Sequence, residues 1–132
     1  MSTYSNQEVI EYLLDHYQNP RNHGELPDAD LVYKGGHPGC SDVVTIYLKI
    51  HNGKLERLTF TGEGCTISQA ATSILSEHVQ GKSISEIESL DYHLIEDEIG
   101  ADLVKSRPRC ATLGLDTLKS ALQQQKLTGA QQ

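Results

Sequence analysis

The residues best suited to chemistry are three cysteines and one carboxylate. The cysteines are Cys40, Cys65 and Cys110, and Asp42 follows the first of them by two positions. Three thiolates and a carboxylate can together fill the four positions around one tetrahedral metal ion. The long intervals between the cysteines exclude a single local binding loop, so the fold would have to bring the ligands together. The alternative is that the cysteines are separate small core residues, because free cysteine is often buried.

Two of the cysteines lie where the pattern predicts the start of a helix. Cys65 precedes an apolar run with helical spacing that ends near Gly81, and Cys110 falls in the first turn of a helix that Pro108 begins. Unpaired N–H groups and the helix dipole at such positions favour the thiolate, the form that binds metals and attacks sulfur. We therefore expect two separate helices to present activated sulfur atoms.

Two arginines, Arg107 and Arg109, flank Cys110. A cation beside a thiol lowers its pKa, and either arginine could instead pair with Asp42. The alternative is that both arginines are simply solvated.

The remaining cysteine, Cys40, and the carboxylate of Asp42 lie in one loop before a predicted strand. In an extended segment, the side chains of Cys40 and Asp42 point to the same side of the chain, as two ligands of one ion require. A carboxylate is a harder and more labile ligand than a thiolate, so this set suits a site that releases or exchanges its contents. His37 is a competing fourth ligand, although a histidine beside a proline in a loop is more often exposed. No metal-like spacing links the other histidines, which we predict to be exposed or hydrogen-bonded within the fold: His16, His23, His51, His78 and His93.

The remaining pattern indicates mixed helices and strands in one domain spanning residues 1–132. A capping box at Ser5 predicts an N-terminal amphipathic helix that ends before Pro20, and a second capping box at Ser83 predicts a short helix. Between them, a short strand near Leu31 precedes a β-hairpin with one buried face, turning at Asn52-Gly53. We expect a less regular stretch over residues 94–104, then the last helix, with a polar tail that frays from about residue 123.

Composition restricts the compartment and the partners. A chain of 132 residues can bury a core without metal or disulfides, so a metal here would be functional. With three cysteines, a polar start and no apolar run of membrane-spanning length, we expect a cytoplasmic protein with reduced thiols. The net charge of −7 and the scattered basic residues argue against nucleic acid or membrane partners.

Four motifs resemble the U-type iron-sulfur cluster assembly family, which includes IscU, SufU and the N-terminal domain of NifU. The resemblance runs from about Val9 to Leu122 and rests on these motifs: Asp15-His16-Tyr17-Gln18-Asn19-Pro20-Arg21-Asn22 with Gly24, Cys40-Ser41-Asp42, Gly62-x-Gly64-Cys65-x-Ile67-Ser68, and Cys110-Ala111-Thr112-Leu113. It implies an α+β fold in which a small, mostly antiparallel sheet packs against helices. It also implies that the three cysteines and Asp42 cluster at one exposed end.

Within that family the chain combines features of two branches. IscU-type scaffolds have glycine where this chain has Ser41, histidine where it has Arg109, and a Leu-Pro-Pro-Val-Lys chaperone motif that is replaced here by Leu103-Val104-Lys105-Ser106. The segment from Arg107 to Leu113 instead resembles SufU, a zinc-bound protein, but the insertion typical of SufU is missing.

Three functional hypotheses follow from the residues and the resemblance. The first is a non-enzymatic scaffold that accepts sulfur from a cysteine desulfurase, builds a transient iron-sulfur cluster on Cys40, Cys65, Cys110 and Asp42, and transfers it to apo iron-sulfur acceptor proteins. The second is a zinc-dependent sulfurtransferase in which the same residues hold Zn²⁺ until Cys40 or Cys110 takes sulfur from the desulfurase. The third is a structural zinc-binding interaction domain, which the labile carboxylate disfavours. The cluster type and a dimer around the cluster stay open.

Overall fold

A computed structural model of the chain describes residues 6–36 and 42–127. In these residues six helices accompany a three-stranded sheet, in the order α1 (Asn6–Gln18), β1 (Leu31–Gly36), β2 (Val43–His51), β3 (Lys54–Glu63), α2 (Thr66–Val79), α3 (Ile84–Glu88), α4 (His93–Ile99), α5 (Ala101–Ser106) and α6 (Pro108–Leu127). The expected α+β class is confirmed.

The sheet is antiparallel and has the strand order β1-β2-β3. Its central strand alternates as predicted, because Ile46 and Leu48 are fully buried while the alternate residues Thr45 and Tyr47 are partly exposed. Positive φ angles at both central turn residues, 54° at Asn52 and 74° at the following glycine, fit a type I′ turn. The predicted hairpin with one buried face is confirmed.

Three long helices, α1, α2 and α6, supply much of the core around the buried face of the sheet. α2 contacts α1, α6 and β3, and α6 also contacts β1 and β2. The largest fully buried side chains come from the strands and from several helices: Ile46, Leu48, Leu55, Leu58, Phe60, Ile74, Leu75, Ile87, Ile95, Leu113, Leu118 and Leu122. This packing places the beginnings of α2 and α6 close to the beginning of β2.

Two expectations about the C-terminal half were wrong or incomplete. The stretch over residues 94–104 is not irregular but forms α4 and α5, separated at Gly100. The buried side chains of Ile95, Ile99 and Val104 anchor these short helices, and such tertiary packing outweighs a weak local pattern. α6 also continues through the polar residues after Gln123 as far as Leu127.

The close approach of α2 and α6 depends on Gly114. A Cβ atom added there would lie 2.6 Å from Thr72 Oγ1 and 3.1 Å from Thr72 Cβ. Because Gly114 has no side chain, the backbone of α6 can pack directly against the side chain of Thr72 in α2.

We therefore expect Gly114→Ala to lower the free energy of unfolding, measured by denaturant titration, by about 1–2 kcal/mol. Alanine favours a helix over glycine by about 1 kcal/mol, but overpacking of a tight interface costs about 1–3 kcal/mol and should outweigh that gain. Adding Thr72→Ala removes the closest atom, so the double variant should lose less than the sum of the single losses. A Gly114→Ala protein more stable than the parent would contradict this packing.

A buried histidine joins α1 to α2. His16 is 1% exposed, and its Nδ1 lies 2.7 Å from Ser73 Oγ, which also accepts a hydrogen bond from the Arg21 backbone N–H at 2.9 Å. Burial, and next the positive charge of Arg21, lower the pKa of His16, while the nearby Glu77 opposes this. His16 is thus a hydrogen-bonded interior residue, as predicted.

Acidification below about pH 6.5 should destabilise the protein through His16. The unfolded chain takes up a proton near the ordinary histidine pKa, whereas the folded chain resists it, so stability is complete above that pH and falls below it. We expect the free energy of unfolding of the parent to fall more steeply than that of His16→Gln between pH 7 and 5. The difference should be up to about 1.4 kcal/mol per pH unit. Parallel pH profiles for the two proteins would contradict this.

Candidate metal centre

The structure brings together three of the four residues predicted to bind metal. One ligand atom from each of Asp42, Cys65 and Cys110 lies within 4.8 Å of the other two. Asp42 directly precedes β2, Cys65 is the N-cap of α2, and Cys110 is the third residue of α6. Cys40 and His37 lie outside the described residues, so their roles stay predictions.

The Asp42 carboxylate lies between the two thiols and the start of α2. Its Oδ1 accepts a hydrogen bond from the Cys65 backbone N–H at 3.1 Å. Its Oδ2 lies 3.1 Å from Cys110 Sγ and 3.5 Å from Cys65 Sγ. The side chain is only 5% exposed. One carboxylate oxygen is thus anchored to the protein, and the other faces both sulfur atoms.

Cys65 uses its sulfur to cap α2. Its backbone is extended, with φ −73° and ψ 165°, and its Sγ accepts a hydrogen bond from the Ser68 N–H at 3.4 Å. This is the relation of an N-cap residue to the third residue of a helix. The expected position of Cys65 at a strand-to-helix junction is confirmed, and its sulfur accepts one of the N–H groups at the start of the helix.

Ser68 ends the motif from Gly62 to Ser68, but it was not predicted to be a site residue. Its Oγ lies 3.1 Å from the Cys65 carbonyl and also lies beside the Asp42 carboxylate, where it helps to lower the pKa of Asp42. Its single proton can be donated to one of these two acceptors at a time. The signal that could have revealed it is the spacing Cys65-x-x-Ser68, which matches a helix N-cap and the third helical position.

The protonation states at this site follow from burial and hydrogen bonding. Burial of Asp42 acts to raise its pKa, but hydrogen bonds from Cys110, Cys65 and Ser68 together hold the pKa below its usual value. Burial, and next the Asp42 carboxylate, raise the pKa of the Cys110 thiol to about 12. The expectation that the start of α6 favours a Cys110 thiolate is therefore wrong for this arrangement. A metal that binds Cys110 must displace its proton.

The two arginines beside Cys110 are exposed. The described hydrogen-bond partners of Asp42 are Cys65, Ser68 and Cys110, and they do not include Arg107 or Arg109. Solvated arginines, rather than an ion pair with Asp42, are what the described residues show.

The donor set fits a thiophilic metal centre. Two thiols and a carboxylate are ligands that zinc and iron-sulfur sites use, and a tetrahedral ion needs one further donor. Cys40, two positions before Asp42, is the predicted fourth ligand. Cys65 and Cys110 are partly exposed, so an incoming group can reach them.

Among the described helices, we find none that is both long and apolar enough to cross a membrane.

Comparison with known proteins gives consistent matches over most of the chain. The model of the NifU-like N terminal domain family matches residues 8–130. The "Iron-sulfur cluster assembly scaffold protein IscU 1" of Archaeoglobus fulgidus is 36% identical over 110 residues, which cover 83% of this chain and 71% of that protein.

Two further matches carry the SufU name. The "Zinc-dependent sulfurtransferase SufU" of Bacillus subtilis is 31% identical, covering 92% of this chain and 95% of that protein. A crystal structure described as a putative scaffold of the SUF system from Fervidobacterium islandicum superposes with a TM-score of 0.72 at 30% identity, covering 90% of this chain and 96% of that one.

Proposed function

Because the chain belongs to the NifU-like N terminal domain family of U-type scaffolds, we propose that it is an iron-sulfur cluster assembly scaffold. The observation that carries this proposal is the convergence of Asp42, Cys65 and Cys110, whose ligand atoms lie within 4.8 Å of one another. Iron and sulfide are its substrates, and the assembled cluster is its cargo.

Different residues of the site would hold the cluster and allow its release. Cys65 and Cys110 would provide thiolates from two different helices, and Cys40 would provide the third. Asp42 Oδ2, which faces both sulfur atoms, would be the weaker ligand, because a carboxylate binds soft centres less tightly than a thiolate does. The cluster can therefore leave by exchange at Asp42 while the thiolates still hold it.

A cysteine desulfurase would supply the sulfur, and apo iron-sulfur proteins in the cytoplasm would receive the cluster. We place the desulfurase on the site-bearing loops and on α1. Three large apolar side chains of α1 support this placement, because Ile10, Leu14 and Tyr17 are between 41% and 50% exposed. Charge reversal around this stripe, in variants that still fold, should weaken desulfurase binding. Unchanged binding would contradict the placement.

Anaerobic incubation with ferrous iron, cysteine and a cysteine desulfurase tests scaffold function. The parent should acquire the visible absorption of a protein-bound iron-sulfur cluster, and this absorption should stay with the protein on gel filtration. A chain that elutes without iron and sulfide after this treatment is not a scaffold.

A second function, zinc-dependent sulfurtransferase, is favoured by the likeness to the Bacillus subtilis protein of that name. Here the thiolate of Cys40 or Cys110 attacks the terminal sulfur of the desulfurase persulfide. The partner's S–S bond breaks, its cysteine leaves as a thiolate, and the chain keeps a persulfide. Incubation of the zinc-loaded chain with desulfurase and labelled cysteine, without iron, should then leave labelled sulfur on one cysteine. Absence of label would exclude this function.

A further inference from the structure

The two oxygens of the Asp42 carboxylate have different surroundings. Oδ2 faces the thiols of Cys65 and Cys110, whereas Oδ1 accepts the Cys65 backbone N–H at 3.1 Å. The Ser68 hydroxyl lies beside this carboxylate and helps to lower its pKa. A carboxylate free to rotate could offer either oxygen, or both, to a metal ion. This one is fixed before any metal arrives.

The anchor itself is rigid. Ser68 is fully buried, and its Oγ accepts a hydrogen bond from Gln69 Nε2 at 3.1 Å and lies 3.1 Å from the Cys65 carbonyl. Its one proton therefore goes either to that carbonyl or to Asp42. A buried hydroxyl held by two neighbouring groups has little freedom to turn away. Because Ser68 is fixed in the first turn of α2, it can hold the Asp42 carboxylate in place beside that turn.

Gly64 makes the close approach of the carboxylate possible. A Cβ atom at this position would lie 2.6 Å from Asp42 Oδ1 and 2.8 Å from both Asp42 Cγ and Ser68 Oγ. The φ angle of 150° at Gly64 is also one that other residues rarely adopt. Any side chain here would push the carboxylate off the start of α2.

We propose that Gly64 and Ser68 are positioning residues that fix Asp42 Oδ1, so that Asp42 binds its metal through Oδ2 alone. This inference rests on the proposed function, because it assumes that Asp42 is a ligand. A ligand oriented in advance loses less entropy on binding, and the bond from one oxygen remains easy to exchange. Outer residues that orient a ligand typically account for about 10–100-fold in metal affinity.

Zinc affinity, measured by competition with a chromophoric chelator, tests the inference on the whole chain. Ser68→Ala and Gly64→Ala should each weaken Zn²⁺ binding about tenfold or more. Ser76→Ala is a matched control, because Ser76 is also a fully buried serine of α2 but hydrogen-bonds to Asn22 and Ser73 instead. Gly81→Ala controls for backbone strain, because Gly81 has a φ of 80° and open space around a Cβ. Both controls should bind zinc like the parent.

The same variants in an Asp42→Ala background separate positioning from a general structural role. If Ser68 and Gly64 act through Asp42, neither substitution should weaken zinc binding further once the carboxylate is gone. A metal-free readout is hydrogen exchange at the Cys65 amide, which Asp42 protects. Exchange should accelerate in Ser68→Ala and Gly64→Ala but not in Ser76→Ala.

The outcomes distinguish the inference from the proposal beneath it. Weaker zinc binding in Asp42→Ala, without weaker binding in Ser68→Ala or Gly64→Ala, overturns the inference and leaves the scaffold proposal standing. Equal losses with and without Asp42 also overturn it. Unchanged zinc binding in Asp42→Ala would overturn the ligand role of Asp42 and the inference together.

Discussion

Serine in place of Cys65 or Cys110 should remove stable binding of both zinc and an iron-sulfur cluster. A serine hydroxyl is almost the same size as the thiol, but it does not ionise readily and is a poor ligand for soft centres. Because loss of a residue that only orients a ligand costs about 10–100-fold in affinity, loss of a thiolate ligand should cost more than about 100-fold. Chelator competition for Zn²⁺ and visible absorption after anaerobic reconstitution measure the two effects.

Both serine variants should remain folded, because neither sulfur is deeply buried and a chain of 132 residues can bury a core without metal. Ser120→Ala, at an exposed position of α6, is a matched control that should behave like the parent. A Cys110→Ser protein that binds zinc and cluster as the parent does would show that Cys110 is not a ligand.

Asp42→Ala should have the second largest effect, and it should act on release. The three cysteines can still hold a cluster, but the exchangeable position is lost, so transfer to an apo-acceptor should slow by an order of magnitude or more. Zinc binding should instead weaken, because the three cysteines alone leave one of the four tetrahedral positions without a protein ligand. Acceptor activation over time measures the transfer, and chelator competition measures the zinc affinity.

Asp42→Asn separates the charge of the carboxylate from its hydrogen bond. The amide oxygen can still accept the Cys65 N–H, so this variant avoids the cost of about 1–3 kcal/mol for an unpaired buried donor. It should release the cluster slowly like Asp42→Ala while unfolding more like the parent. If Asp42→Ala shows neither slower transfer nor weaker zinc binding, Asp42 is not a ligand, and His37 or Arg107 becomes the next candidate for its role.

The parts of the fold that local chemistry determines could be predicted from the sequence. The hairpin follows from the alternation of apolar and polar residues and from Asn52 at its turn. The short helix after Ser83 follows from a complete capping box. α4 and α5 were missed because their stability comes from a few buried side chains, such as Ile95 and Val104, that pack on distant elements.

The site shows the same division between local and tertiary effects. Residue types and spacing identified Asp42, Cys65 and Cys110 as candidates, and the family resemblance implied that they meet. The high pKa of the Cys110 thiol was not foreseen, because burial and the hydrogen bond to Asp42 both depend on the tertiary fold. The packing of Gly64 against Asp42 is likewise visible only in three dimensions.

Transfer of a reconstituted cluster tests the scaffold proposal most directly. The cluster-loaded chain, freed of excess iron and sulfide, is mixed anaerobically with an apo iron-sulfur acceptor, and the acceptor is assayed over time beside a sample given equal iron and sulfide in solution. The account predicts that the acceptor gains its cluster faster from the loaded chain, with matching loss of absorption from the chain. Equal rates in both samples, or a cluster that stays on the chain, would contradict it.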